Sequence, residues 1–290
     1  MDDDGKPQFV TYGSAMDTQI IKELLLHCLK TQEVLGLDSA EEQAFEKEIR
    51  ATLAKLPPFL ISEKDGRLQE WAVDYKEENP QHRHLSHLYA LYPGDLINTE
   101  TPELLEAARK SMLVRSEGSG GGTGWNEGWS LGLWARLQDA DRAAFTCNRL
   151  LATQMKYNLF NQTFSSPLSR NWPAFMKMPL EYVPLVDGNL AVTGALPELF
   201  VQSHLKDANG DFIIELLPAL PDDWQDGSFS GLRVRGGFEV DLVWEAGRLK
   251  EATVTSITGK TGALRYGDTL VKLDMQPGQE LRFNGDFVQQ

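Results

Sequence analysis

The sequence predicts an α+β multidomain chain, a helical domain over residues 1–208 followed by a small antiparallel, sandwich-like β domain over 209–290. Two observations carry this. Apolar residues recur at three-and-four spacing from residue 16 to about 206, and at Asp211 the period changes to short, β-branched, often alternating runs separated by Gly turns. Helices followed by strands read as two domains, or as one helical lobe with a β cap. At 290 residues with 41% hydrophobic and 24% charged side chains, the chain is long enough to bury such cores unaided.

Along the chain, Met16, Ile20, Ile21, Leu24, Leu25, Cys28 and Leu29 predict one buried helical face over residues 16–30. Gly36 breaks the pattern. Asp38 and Ser39 then offer caps for a second helix marked by Phe45, Ile49, Leu53 and Leu56 and ended by Pro57-Pro58, so the pair is predicted as a helical hairpin. After a loop through Asp65-Gly66, a helical run is expected over 83–91, stopped by Pro93-Gly94. Thr101 can cap a further helix with Pro102 in its first position and Leu104, Leu105, Ala108 and Met112 on one face. Gly118 to Gly124 reads as a flexible loop. Trp125, Trp129, Leu133, Trp134 and Leu137 follow at helical spacing, and Asp141 can cap a helix holding Phe145, Leu150 and Leu151. Strands are predicted at 212–217, 232–235, 238–244, 249–257, 263–266, 270–273 and 281–283.

Composition excludes several function classes. Lys+Arg 28 against Asp+Glu 42 gives a net charge of −14, which repels phosphate backbones and anionic membranes, so neither nucleic acid nor a membrane is expected as a partner. No apolar run approaches the roughly 20 residues that span a bilayer. Cys28 and Cys147 sit in apolar helical patterns with no CxxC or His spacing, and are expected as buried free thiols. The start, Met1-Asp2-Asp3-Asp4-Gly5, lacks the basic and apolar stretches of a signal peptide, and the compartment stays open. Motifs for acyl transfer, dinucleotide binding and nucleotide binding are absent, which narrows the choice to carbohydrate chemistry or binding.

Three clusters carry candidate chemistry. The first is Glu70-Trp71 with Asp74 and the run His82-Arg83-His84-Leu85-Ser86-His87, where three of the five histidines fall within six residues. His84 and His87 stand at i and i+3, but a bare pair of that kind without cysteine or HExxH is a weak metal signal, and a polar ligand pocket is the preferred reading over a metal or purely structural histidines. No metal and no cofactor are assigned. The second is Thr123-Gly124-Trp125-Asn126-Glu127-Gly128-Trp129 at a helix mouth. An aromatic face there can pack on the C–H side of a pyranose while amides and carboxylates bind hydroxyls, although at least one of Trp125, Trp129 and Trp134 is expected in the core. In the third, Val186-Asp187-Gly188-Asn189, Asp187 can either cap the following helix or serve as half of a glycosidase acid/base pair.

Further runs extend these clusters. Gly66-Arg67-Leu68-Gln69-Glu70-Trp71, the stretch from His82 to Gly94, Gly122-Thr123-Gly124-Trp125, Asp187-Gly188-Asn189, Gln202-Ser203-His204, Leu216-Leu217-Pro218-Ala219-Leu220-Pro221 and Gly231 to Val240 occur in this order. Together they resemble the α-L-fucosidases of glycoside hydrolase family 95. The resemblance implies a partial (α/α)6 barrel catalytic domain over 1–208 and a C-terminal β domain over 209–290, with a preceding β domain and the early barrel helices absent from this chain. It also implies inverting hydrolysis of α-1,2-linked fucose, in which a glutamic acid protonates the leaving oxygen and an asparagine polarised by an aspartate activates water. Asp187 matches that aspartate, whereas the acid and asparagine motifs are expected upstream of Met1. By the same resemblance His84 and His87 line the fucose pocket, joined as substrate-binding candidates by Glu70, Trp125, Asn126 and Asn189. The implied partner is a fucosylated oligosaccharide or glycan, and a half barrel also implies self-association or association with the missing N-terminal portion. The competing reading is a non-catalytic carbohydrate- or partner-binding remnant. For catalysis by this chain alone, Glu70, Asp74 and Glu127 are the nearby candidates for a second acid/base group.

Two departures from the family pattern are specific. Pro197 falls within the helix expected after Asp187 and predicts a kink or restart, and Phe164 to Tyr182 reads as an insertion over the cleft.

Overall fold

The computed structural model describes residues 11–117, 123–163 and 183–290. The expected loop at Gly118 to Gly124 lies mostly outside the described residues, and the expected insertion from Phe164 to Tyr182 lies wholly outside them. A helical region precedes a β region, and the chain divides into two compact units, Met1–Gly121 and Gly122–Gln290. The change from helix to strand therefore falls inside the second unit.

In the first unit, α1 (Ala15–Leu35) begins where Ser14 Oγ accepts the Asp17 N–H, and it ends where Gly36 turns left-handed at φ 63° and returns its N–H to Gln32 and Glu33. Helix α2 (Ala40–Leu53) opens with a reciprocal capping box between Ser39 and Glu42, so of the two cap candidates Ser39 is used. Helix α3 (Pro102–Ser116) has Pro102 in its first turn as expected, but the Thr101 hydroxyl bonds back to Asn98 rather than capping.

Two sequence expectations fail here for physical reasons. The apolar face of α1 was expected to be buried, yet Ile20, Ile21 and Leu24 are each more than a third exposed, and the only buried residue of the helix is polar Gln19. That glutamine explains the second difference. Its Nε2 donates to the His87 carbonyl at 2.8 Å and its Oε1 accepts the Ala90 N–H at 2.9 Å. With these groups taken by a side chain, residues 83–91 form a 3-10 turn over Ser86–Leu88 and further tight turns, where a helix was expected. Leu85, Leu88, Ala90 and Leu91 are nonetheless almost fully buried and make this segment the core of the unit.

In the second unit, α4 (Gly124–Arg136) is buried along nearly its whole length and packs against α5 (Ala140–Thr153) and α6 (Val186–Ala195). Of the three tryptophans Trp134 is the one in the core, while Trp125 and Trp129 are half-buried. Asp139, rather than the expected Asp141, caps α5 by accepting the Arg142 N–H. Helix α6 stops at Ala195 and gives way to a 3-10 turn over Leu196–Leu199, which is how the chain accommodates Pro197. A short antiparallel pair joins β1 (Gln162–Thr163) to β2 (Val183–Pro184).

Two four-stranded sheets follow among the described residues. One runs β10 (Glu280–Asn284), β7 (Arg248–Ser256), β6 (Phe238–Glu245), β5 (Gly227–Val234), all antiparallel. The other runs β3 (Val201–Gln202), β4 (Ile213–Leu216), β8 (Thr261–Tyr266), β9 (Thr269–Asp274), and its β4–β8 pair is parallel where antiparallel pairing was expected. Parallel pairing needs a long crossover, and the first sheet's strands β5 to β7 lie within the β4-to-β8 connection. Strand β6 alternates buried and half-exposed residues, and Phe238, Val240 and Leu242 join Ile214, Val254, Leu264 and Phe283 in one core. Cys147 is buried and Cys28 half-buried, and both are free thiols.

Candidate functional site

The first unit holds a chain of charges centred on Arg115, in the last turn of α3. Its side chain is only 4% exposed, and its guanidinium pairs with Glu77 at 2.6 Å and Glu70 at 3.0 Å while donating to the Pro80 carbonyl at 3.0 Å. Arg67 extends the network by bonding Glu77 and Asp65, each at 2.8 Å. Burial pushes the Glu70 carboxyl above its usual range; Arg115 opposes this and Glu77 adds to it. Arg67, Glu70, Trp71, Asp74 and Glu77 line a cavity of about 30 Å³, room for one ordered water or a ligand hydroxyl.

The two preferred histidines have different surroundings. His87 is 3% exposed, its Nδ1 has no partner, and burial beside the Arg115 and Arg67 cations pushes its imidazole down to about 3, so it is neutral. His84 is exposed, its ring sits edge-on to His82 at 4.6 Å, and its backbone N–H donates to His82 Nδ1 at 3.3 Å. Desolvation first, then His82, Arg83 and Arg115, lower its imidazole from the ordinary range. Glu70, His84 and His87 thus all lie within the field of Arg115, but His87 is buried while His84 is exposed.

In the second unit, Asp187 lies exposed in the first turn of α6, and its Oδ1 accepts the N–H of Gly188 at 3.0 Å. It does not cap the helix, because the cap position is Leu185, which makes no side-chain bond. Asn189 has both ends of its carboxamide on backbone: Oδ1 accepts from Asn161 N–H at 2.9 Å and Nδ2 donates to the Leu159 carbonyl at 2.7 Å. Asn126 is 5% exposed in the first turn of α4 beside half-buried Trp125. Glu127 is 1% exposed and held by Arg149 at 2.7 Å; burial pushes its carboxyl up against the opposing pull of that arginine.

The starts of α4 and α6 meet across Asn161, a residue the sequence reading did not single out. A Cβ placed on Gly124 would fall inside the Asn161 carboxamide, and one on Gly188 would fall against its Oδ1, so both helices close on this side chain only because those positions are glycine. This brings Trp125 and Asn126 to the same helix junction as Asp187 and Asn189. Arg115 was missed as well. The only available signal for it was a basic residue in the last turn of a helix, which ordinarily reads as a favourable surface charge.

Residues 1–200 match the glycosyl hydrolase family 95 catalytic domain, and residues 202–285 match the glycoside hydrolase family 95 C-terminal domain. The chain belongs to glycoside hydrolase family 95. It is similar to alpha-L-fucosidase 2 of Arabidopsis thaliana, 35% identical over 291 residues that cover 98% of this chain and 31% of that protein. Probable alpha-fucosidase A of Aspergillus niger is 28% identical, covering 81% of this chain and 28% of the relative. Its counterpart in Aspergillus oryzae is 25% identical, covering 90% and 36%. The chain spans about a third of the length of these relatives.

Proposed function

We propose that this chain serves an α-L-fucosidase-type glycoside hydrolysis on fucosylated glycans, with inversion at α-1,2-linked fucose. The observation that carries the reading is Asp187, a carboxylate with no capping duty, exposed at the α4–α6 junction in the family's Asp-Gly-Asn motif. Inverting chemistry needs an acid that gives its proton to the leaving oxygen and a carboxylate that activates water on the opposite face of the sugar, and Asp187 takes the second role by polarising an amide that holds the water.

In the second unit Trp125 and Asn126 bind substrate beside Asp187, and Asn189 belongs to the same binding group while tying down the 159–161 loop. In the first unit Glu70, His84 and His87 bind sugar hydroxyls. A neutral imidazole offers one donor and one acceptor, which suits a hydroxyl better than an imidazolium does. Division of the chain into a catalytic part over 1–208, built as part of an (α/α)6 barrel, and a β domain over 209–290 belongs to the same proposal. It is supported by the helix-to-strand change and by the two family 95 matches.

The test is fucose release from an α-1,2-fucosylated oligosaccharide by the purified chain, beside Asp187→Ala. An exposed substitution of this kind shifts stability by about 0.5 kcal/mol or less, so lost activity reports on chemistry. Release that vanishes in the variant, with β-L-fucose as the first anomer seen by NMR, supports the reading. Release that persists in Asp187→Ala overturns the role given to Asp187, and no release from the folded chain overturns catalysis by this polypeptide and favours a non-catalytic binding role.

A further inference from the structure

We infer that Asn161 is the positioning residue for Asp187, an inference that rests on the role proposed for that carboxylate. Asn161 is fully buried and reaches three helix ends at once. Its Nδ2 donates to the carbonyl of Gln154, the C-terminal cap of α5, at 3.2 Å. Its carboxamide fills the space left by Gly124 at the start of α4 and by Gly188 in the first turn of α6. Its backbone completes the clamp: the carbonyl accepts the Leu185 N–H at 3.0 Å, and the N–H donates to Asn189 Oδ1 at 2.9 Å.

Residues on both sides of Asp187 are therefore fixed to one asparagine. Leu185 is held two positions before it, Gly188 is packed immediately after it, and Asn189 is tied two positions after it. Gly188 matters most, because its N–H also donates to Asp187 Oδ1 at 3.0 Å, so moving Gly188 moves the carboxylate. Neither Gly124 nor Gly188 can carry a side chain while Asn161 stands there, which gives these two motif glycines a steric cause. Asn161 Oδ1 is buried without a partner, a cost that a merely space-filling residue would not carry. A carboxamide is flat enough to enter between two backbones and still supply the donor that Gln154 requires. Asn161 touches no reacting atom in this arrangement. It acts through the turn that holds Asp187.

The experiment uses the full chain, with Asn161→Ala, Gly124→Ala and the Gly124→Ala/Asn161→Ala double variant, each measured for fucose release and for residue-level amide hydrogen exchange. The expected result for Asn161→Ala is a kcat at least tenfold lower with KM within threefold. At the same time the Leu185 and Gly188 amides should exchange at least tenfold faster, while the second half of α4 keeps its protection. Gly124→Ala alone should be impaired by its collision with Asn161, and the double variant should recover part of that loss because the new methyl takes vacated space. An unchanged kcat in folded Asn161→Ala, or a kcat and KM that fall together with loss of protection throughout the unit, overturns the inference. If the wild-type chain releases no fucose, the functional reading has failed for this polypeptide and the exchange data decide alone: unchanged Leu185 and Gly188 amides overturn the positioning role, and selectively faster ones sustain it.

Discussion

His87 is a buried imidazole whose replacement should change sign with pH. Its imidazole falls from 6.5 in the unfolded chain to about 3 in the fold, because burial and two nearby arginines oppose protonation. A base with a depressed folded pKa contributes nothing against the fold above the unfolded value and destabilises progressively below it, since only the unfolded chain takes up the proton. The slope is about 1.4 kcal/mol per pH unit, so acidification from neutrality to pH 4 costs the wild-type first unit roughly 3 kcal/mol through this residue. His87→Leu is close to volume-conserving at a site where Nδ1 has no partner to lose, and should cost about 1 kcal/mol at pH 7. The two stability curves should cross between roughly pH 5.5 and 6, and at pH 4 the variant should be more stable by about 2 kcal/mol. Glu70 has the opposite sign, its raised carboxyl relieving the fold as pH falls, but it is present in both proteins and drops out of the difference. Hydrogen exchange on peptides covering residues 85–92, corrected for intrinsic rates and run at pH 7, 5.5 and 4, reads the local opening energy. A difference between the two proteins that keeps the same sign from pH 7 to pH 4 would refute the argument.

Arg115→Met should destabilise the first unit by about 3–5 kcal/mol, because Glu70 and Glu77 are left facing each other beside a removed buried cation. Urea unfolding should show this, and adding Glu70→Gln should recover part of the loss. Gly128→Ala places a methyl 2.7 Å from Ala191 Cβ and 2.9 Å from the Val192 nitrogen, so overpacking of about 1–3 kcal/mol should outweigh the gain in helix propensity of roughly 1 kcal/mol. A lowered thermal midpoint checks it. Ser39→Ala removes half of the α2 capping box and should cost about 1 kcal/mol, seen as faster exchange in the first turn of α2 with α3 unaffected.

What was legible in the sequence was local. Periodicity located α1, α2, α4, β4 and the strands from β6 to β10, caught only the end of β5 (Gly227–Val234), and Pro102 marked the start of α3, because each signal sits within the element that it specifies. The segment 83–91 defied the same reading because its backbone partners come from Gln19, 68 residues earlier for the His87 carbonyl, and no window of local pattern contains that fact. Asp139 and Asp141 were equivalent cap candidates on type alone. The chain enters α5 after Gln138 turns left-handed at φ 55°, which leaves Asp139 at the cap and Asp141 already inside the first turn. The apolar stripe on α1 was visible, but its burial was not, since an exposed face requires knowledge of what packs there.

The candidate site divides along the same line. Asp187, Gly188 and Asn189 stand together in sequence and were readable as a unit, with capping as the rival explanation for the aspartate. The structure removes the cap by position: a cap must precede the first helical turn, and Asp187 lies within it, two residues past Leu185. Asn161 could not be found this way, because nothing in Phe160-Asn161-Gln162 marks a buried amide. Its trace is indirect, in two glycines that stand 64 positions apart in the chain and meet on one side chain. A glycine at a helix start is commonly read as backbone freedom. Here neither Gly124 nor Gly188 is among the positive-φ glycines, so freedom is not what either position uses. What both positions use is the absence of a Cβ, and the space so left is occupied by the residue that fixes the turn carrying Asp187.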